Sequence, residues 1–296
     1  MVDEQHRFGV QQRLALRKKA NADLAPHQLM MSATPIPRTL SMSYYADQDI
    51  STIDELPPGR RRVLTKLFAD DKRAEVLARI REACAEGQQA YWVCPAIEES
   101  RDELQTAVDT FEQLRAELKG LRVGLLHGRL PADEKTAVMK TFVAGKINLL
   151  VATTVIEVGV DVPNASLMVI EHAERFGLAQ LHQLRGRIGR GARESVCILL
   201  YAAPLSDTAR ARLRVIFENG DGFEIARQDL ELRGPGEYLG ERQSGAPLLR
   251  YADLDRDEPL VREAREAAEM LLEQDPGAAR RHVERWLASR HEYSRA

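Results

Sequence analysis

The sequence predicts an α/β fold: a parallel sheet covered by helices, preceded by a partial α/β segment and followed by a helical module. Three observations predict it. Short apolar runs alternate with helical patterns between residues 60 and 205. Those runs are apolar at consecutive positions, as strands covered on both faces must be. After Pro204 the alternation gives way to helices alone.

Taken in order, the strands are expected at VLTKLF (63–68), AYWVCPAI (90–97), RVGLLH (122–127), NLLVATT (148–154), SLMVIEHA (166–173) and SVCILLY (195–201). Between them, apolar residues at helical spacing place helices at 72–86, 106–119, 133–144 and 178–188. Gly87, Gly120 and Gly145 each follow one of the first three helices, where a left-handed stop residue belongs. Helices at 207–219 and 222–231 come next, then the loop RGPGEYLGERQSG (233–245), then helices at 258–274 and 276–290. PPGRRR (57–62) reads as the linker into the sheet domain. Before it lie a strand end at Val2, a basic helical stretch (11–22) and a short strand, LMMSAT (29–34). Val2 reads as the end of a buried strand whose earlier residues are missing, which suggests a truncated or mis-started chain. The expected domains are therefore 1–56, 57–205 and 206–296.

A chain of 296 residues with 44% apolar and 29% charged residues can bury a core without staples. Its net charge of −3 sets up no global field for nucleic acid, so any DNA contact must be local. Three cysteines, Cys84, Cys94 and Cys197, sit in or beside apolar stretches without metal-ligand spacing, which favours a cytoplasmic location. No apolar run is long enough for a membrane span, and no membrane partner is expected.

Five segments suggest chemistry. Asp3 and Glu4 follow a strand end, where Asp3 suits Mg²⁺ through water and Glu4 suits orienting an attacking water in ATP hydrolysis; read alone, the pair is an ordinary solvated turn. Ser32 and Thr34 follow the second strand and can sense the state of a nucleotide, or merely cap a helix before Pro35. Thr153, Thr154, Gly159 and Asp161 lie at a strand's carboxyl end, the usual place for ligands in open α/β sheets, and suit phosphate or ribose; a plain loop is the alternative. Gly128 and Arg129, after His127, end a neighbouring run and can approach a phosphate; a satisfied structural histidine at a strand end is the alternative. In QLRGRIGR, Arg187 and Arg190 are three apart and on a helix would share one face, presenting two guanidinium forks to a γ-phosphate. Gly186 and Gly189 would weaken that helix by about 1 kcal/mol each, which a merely solvated basic helix has no reason to carry.

DEQHRFGV, MSATPIPRTL, VATTVIEVGVDVPNA and QLRGRIGRG stand in the order of superfamily 2 helicase motifs and resemble those of RecG-type DNA translocases. FENGDGFEIARQDLELRGPGEYLGERQSG resembles the translocation motif that this family shares with the transcription–repair coupling factor. The resemblance implies a partial first RecA-like domain, a complete second one and a helical translocation module. It implies ATP and Mg²⁺ as cofactors, and double-stranded and branched DNA as substrate in repair and recombination. Other replication or repair proteins would be further partners of a monomeric enzyme. By resemblance, Asp3 and Glu4 are the Mg²⁺ and water-activating acids, and His6 links the ATP site to DNA. Arg187 and Arg190 are arginine fingers, with Gln183 beside them at the nucleotide. Arg212, Arg233 and Gln243 couple turnover to movement on the duplex. The family's G-x-x-x-x-G-K-[ST] loop and its wedge domain do not occur in these residues, so the chain alone is expected to lack ATPase activity. Two other readings stay open: a non-catalytic DNA- or partner-binding remnant, and a piece of a coupling factor.

Overall fold

In a computed structural model of the chain, residues 1–3, 27, 29–32, 51–53, 55, 62–95, 101–154, 162–191, 193–233 and 257–287 are described. Chain contacts divide it into two units, Ile53–Leu232 and the pair Met1–Thr52 with Arg233–Ala296.

The larger unit holds β1 (Leu64–Ala69), α1 (Arg73–Ala85), β2 (Gln89–Val93), α2 (Arg101–Glu117), β3 (Val123–Leu126), α3 (Ala132–Val143), β4 (Leu149–Ala152), β5 (Ala165–Ile170), α4 (Leu178–Arg185), β6 (Val196–Tyr201), α5 (Asp207–Glu218) and α6 (Gly222–Arg233). The strands form one six-stranded sheet in the order β1-β6-β5-β2-β4-β3. Every pairing is parallel.

Side-chain alternation explains why the strand sequences read as unbroken apolar runs. Tyr91, Leu150, Met168 and Leu199 join one core with α3, α4 and α5, while Trp92, Val151, Val169 and Ile198 join a second core with α1 and α2. Both faces of each central strand are therefore buried, and nothing polar is needed on either. Two hydrogen bonds from Gln89 Nε2, to the carbonyls of Phe142 (2.6 Å) and Ile147 (2.7 Å), tie the start of β2 to the end of α3 and to the segment after it. Gly87, Gly120 and Gly145 have φ of 79°, 94° and 71°, the left-handed stops expected of them.

In this unit the predicted strands and helices appear with shifts at their ends, with one exception that bears on the site; the helical stretch expected over 11–22, linker residues 57–61 and loop residues 234–245 lie outside the described residues. The helix expected over 178–188 stops at Arg185, and Gly186 is its C-cap. The sheet unit also runs past residue 205, because Leu213, Val215 and Ile216 of α5 are part of its core. Ser206 caps α5 by accepting the Ala209 N–H at 3.2 Å.

In the other unit, Val2 and Met30 form a parallel bridge, closed by Val2 N–H to the Leu29 carbonyl and Met31 N–H to the Val2 carbonyl, each 2.8 Å. Its described residues include the helices α7 (Glu258–Gln274) and α8 (Pro276–Leu287), the latter capped by Asp275 Oδ1 accepting from Ala278 N–H at 2.8 Å. Among the described residues no helix is long and apolar enough to cross a membrane.

Candidate functional site

Sheet order puts four of the candidate residues, Gly128, Arg129, Thr153 and Thr154, at carboxyl ends of strands. From β2 the chain runs to the far edge at β3, returns to β4, then crosses β2 to reach β5 and β6. The connections leaving β2 and β5 thus diverge, and open sheets bind ligands at the carboxyl side of such a switch.

Gly128 and Arg129 follow β3, and Thr153 and Thr154 follow β4; β3 and β4 pair with Leu126 opposite Ala152, so the two pairs stand at the same end of adjacent strands. The Thr153 N–H donates to the Leu126 carbonyl at 3.2 Å, and Thr153 is buried. Lys135, in the first turn of α3, donates to the Gly128 carbonyl at 2.5 Å and braces the exposed Gly128–Arg129 step. Beside them the buried Nδ1 of His127 has no partner. Burial, then the charges of Lys135 and Arg129, lower the His127 pKa against the opposing Glu134. The ring is therefore neutral near pH 7, among cations that an incoming phosphate would offset.

The arginine pair is placed differently from expectation. Arg187 and Arg190 lie beyond the end of α4, so they do not share a helical face. Gly186 caps the helix and Gly189 has a left-handed φ of 80°, so neither glycine burdens a helix interior. What results is a tight turn. The Arg187 N–H donates to the Leu184 carbonyl at 2.9 Å, Ile188 is fully buried, and Gly191 lies so close to Pro163 that a Cβ there would be 2.3 Å from its carbonyl oxygen. Arg187 is half-buried and Arg190 exposed, so two cations leave a rigid turn rather than a helix. Gln183 is half-buried on α4 itself.

Arg185, two residues before Arg187, is one that motif reading passed over. It is buried, and its Nη1 donates to the carbonyls of Ile216 and Asn219, both at 2.8 Å, and to Thr65 Oγ1 at 3.3 Å. Its Nη2 lies 3.2 Å from His182 Nδ1. Burial lowers its pKa, yet a guanidinium stays charged in any protein. The signal was its spacing: Leu178, Leu181 and Arg185 stand at i, i+3 and i+7 on the buried face of α4.

Arg212 reaches back from α5 to the segment before α4, donating to the carbonyls of Phe176 (3.1 Å) and Glu174 (3.0 Å). Both Nη groups are thus engaged with backbone, so Arg212 braces a loop in this structure. His172 turns the chain out of β5 with a left-handed φ of 51° and its Nδ1 lies 3.3 Å from Glu174 Oε1.

At the switch itself a second unforeseen cluster fills the crevice. Glu171 accepts from Trp92 Nε1 at 2.9 Å, and Arg73 stands 3.5 Å from Glu171, 3.0 Å from Glu117 and 4.9 Å above the Trp92 ring. Burial and then the Glu171 charge push the Cys94 thiol up to about 12, which keeps it protonated and inert. A cavity of about 190 Å³ opens beside this cluster, lined by Asp70, Arg73, Glu171, His172, Leu200, Tyr201 and Ala202.

In the other unit, Asp3 follows Val2 and Ser32 lies two residues beyond Met30, so the bridge brings both to one end of a parallel strand pair. Glu4, His6, Thr34, Gly159, Asp161 and Gln243 lie outside the described residues, as does the side chain of Arg233 at the end of α6.

Two family profiles match the chain: "Helicase conserved C-terminal domain" over residues 71–192 and "ATP-dependent DNA helicase RecG, domain 3, C-terminal" over residues 219–288. The chain is 56% identical over 299 residues to the ATP-dependent DNA helicase RecG of Escherichia coli (strain K12), covering 100% of this chain and 43% of that protein. To the protein of the same name from Acidithiobacillus ferridurans it is 57% identical over 294 residues, covering 99% of this chain and 42% of that one. A solved structure of RecG bound to a three-way DNA junction superposes with a TM-score of 0.68 at 45% identity, over 88% of this chain and 33% of that one. The chain thus spans less than half the length of the curated relatives it matches.

Proposed function

Because the chain belongs to the RecG family of ATP-dependent DNA helicases, corresponding to their C-terminal portion, we propose that it supplies the second RecA-like lobe and the translocation helices of an ATP-driven double-stranded-DNA translocase. Its substrate is branched DNA, such as stalled forks and junctions, and its role is in repair and recombination. The match of residues 219–288 to the RecG profile favours this over a coupling factor.

The observation that carries the reading is the rigid turn after α4. Held by Ile188 and by the contact of Gly191 with Pro163, it fixes the backbone from which Arg187 and Arg190 extend to meet a γ-phosphate. Gln183, Gly159 and Asp161 complete this lobe's side of the nucleotide site. Asp3 and Ser32, together at one strand end, fit the acid and hydroxyl chemistry of a Mg²⁺–phosphate site: Asp3 holds the ion through water, and Glu4 orients the attacking water. When bound, Mg²⁺ offsets charge on the phosphates. Ser32, Thr34 and His6 report the nucleotide state. Gly128, Arg129, Thr153 and Thr154 take the DNA backbone, and Arg212, Arg233 and Gln243 pass the change to the duplex.

In this reading residues 1–56 belong to the first lobe, 57–205 to the second, and 206–296 to the translocation module. The division at 205 marks a change of role, since α5 packs into the sheet unit. The 296 residues contain no G-x-x-x-x-G-K-[ST] and hydrolyse no ATP by themselves. The test is phosphate release in the presence of a three-way junction. A full-length protein carrying this sequence is expected to turn over ATP in a DNA-dependent way, and the 296-residue chain is not. Robust turnover by the short chain, or none by the long one, refutes the assignment.

A further inference from the structure

Arg185 brings a positive charge into the core, and among the described residues its partners are two carbonyls, a hydroxyl and a ring nitrogen rather than an acid. Both carbonyls belong to the end of α5. Ile216 is in its last turn, and Asn219 is its C-cap, the residue at which the chain leaves α5 for α6. A helix C-terminus carries partial negative charge on its unpaired carbonyls, and a cation placed on them is stabilised there. The guanidinium therefore does two things at once. It satisfies the open end of α5, and it fastens the α5–α6 joint to the residue next to Gly186, where the Arg187–Arg190 turn begins.

The two sides of this fastening differ in how else they are held. The turn has independent anchors in Ile188 and in the contact of Gly191 with Pro163. Midway along, α5 is tied by Arg212 to the carbonyls of Glu174 and Phe176, and Leu213 and Ile216 hold it to the core, whereas the polar contacts of Asn219 are with Arg185 and Val215. Removing Arg185 thus takes a polar tie from the joint, which keeps Ile216 and Ile225 in the core, while the turn keeps both of its anchors.

We propose that Arg185 is a positioning residue that fixes the α5–α6 joint to the turn carrying Arg187 and Arg190, so that a change at the nucleotide is passed to the helical pair; this rests on the reading of the turn given above. The test uses the full-length protein with Arg185→Lys, which keeps the charge but cannot span both carbonyls and Thr65 together. DNA-stimulated ATP hydrolysis should stay within about twofold of wild type, while three-way-junction unwinding per ATP falls about tenfold. A parallel fall in both, or no change in either, overturns the proposal. Should the variant not fold, hydrogen exchange on the wild type decides: amides of 214–222 and 186–191 must change protection in the same nucleotide-binding step, and a response of the turn alone overturns it. If wild type shows no DNA-stimulated hydrolysis at all, it is the functional assignment that fails, and not the role of Arg185 within it.

Discussion

At the scale of single residues, the site depends on where polar groups find partners, and this is what a sequence conceals most. The spacing of Leu178, Leu181 and Arg185 puts Arg185 on the buried face of its helix, but the carbonyls that receive it come 31 and 34 residues later. The two motif glycines were legible as special, though neither sits inside a helix as the spacing suggested. Gly189 is needed for its left-handed φ of 80°, and Gly186 closes the helix. His127 shows how an environment becomes a measurable property. Its folded pKa is lowered, so as pH falls through the ordinary histidine range, about 6.5, the unfolded chain takes up a proton that the folded chain resists. That uptake favours unfolding, so the His127 contribution is unfavourable in acid and vanishes above the ordinary pKa. Chemical denaturation between pH 7 and pH 5 should therefore show a smaller loss of stability in His127→Gln than in wild type. An equal loss in both would place the acid sensitivity elsewhere.

At the scale of elements, alternation along each strand made the sheet readable before any coordinates. Residues 149–152 and 165–170 are buried at every position, which only a strand covered on both faces allows. Helix ends were less legible because caps depend on a few local groups: the helix over 178–185 stops three residues before the apolar pattern does, since Ile188 is buried from the turn beyond it. Helix α3 is fastened to the sheet mainly through Phe142, fully buried and edge-on to Tyr91 at a centroid distance of 5.0 Å. The same α3 carries Lys135, which braces the Gly128 step. Phe142→Ala should cost about 3–5 kcal/mol of unfolding free energy, read as a lowered denaturation midpoint at unchanged slope. A loss below about 1 kcal/mol would mean that the helix is held by something other than this ring.

At the scale of the whole molecule, the order of motifs along the chain identified the family, whereas no single segment did. An acid pair at a strand end or a serine and threonine before a proline is ordinary by itself. The same segments in order, with the glycine-rich translocation stretch behind them, point one way, and 56% identity to the Escherichia coli relative across the whole chain agrees. Composition pointed nowhere, because a net charge of −3 hides a local set of arginines. The proposed function has Arg187 and Arg190 leave their turn to meet the γ-phosphate of a nucleotide held by the other lobe. Its most direct test is DNA-stimulated ATP hydrolysis by the full-length protein with Arg187→Ala and, separately, Arg190→Ala, each checked for wild-type melting behaviour. Turnover should fall about a thousandfold in each. Turnover within a few-fold of wild type in either folded variant would contradict the claim.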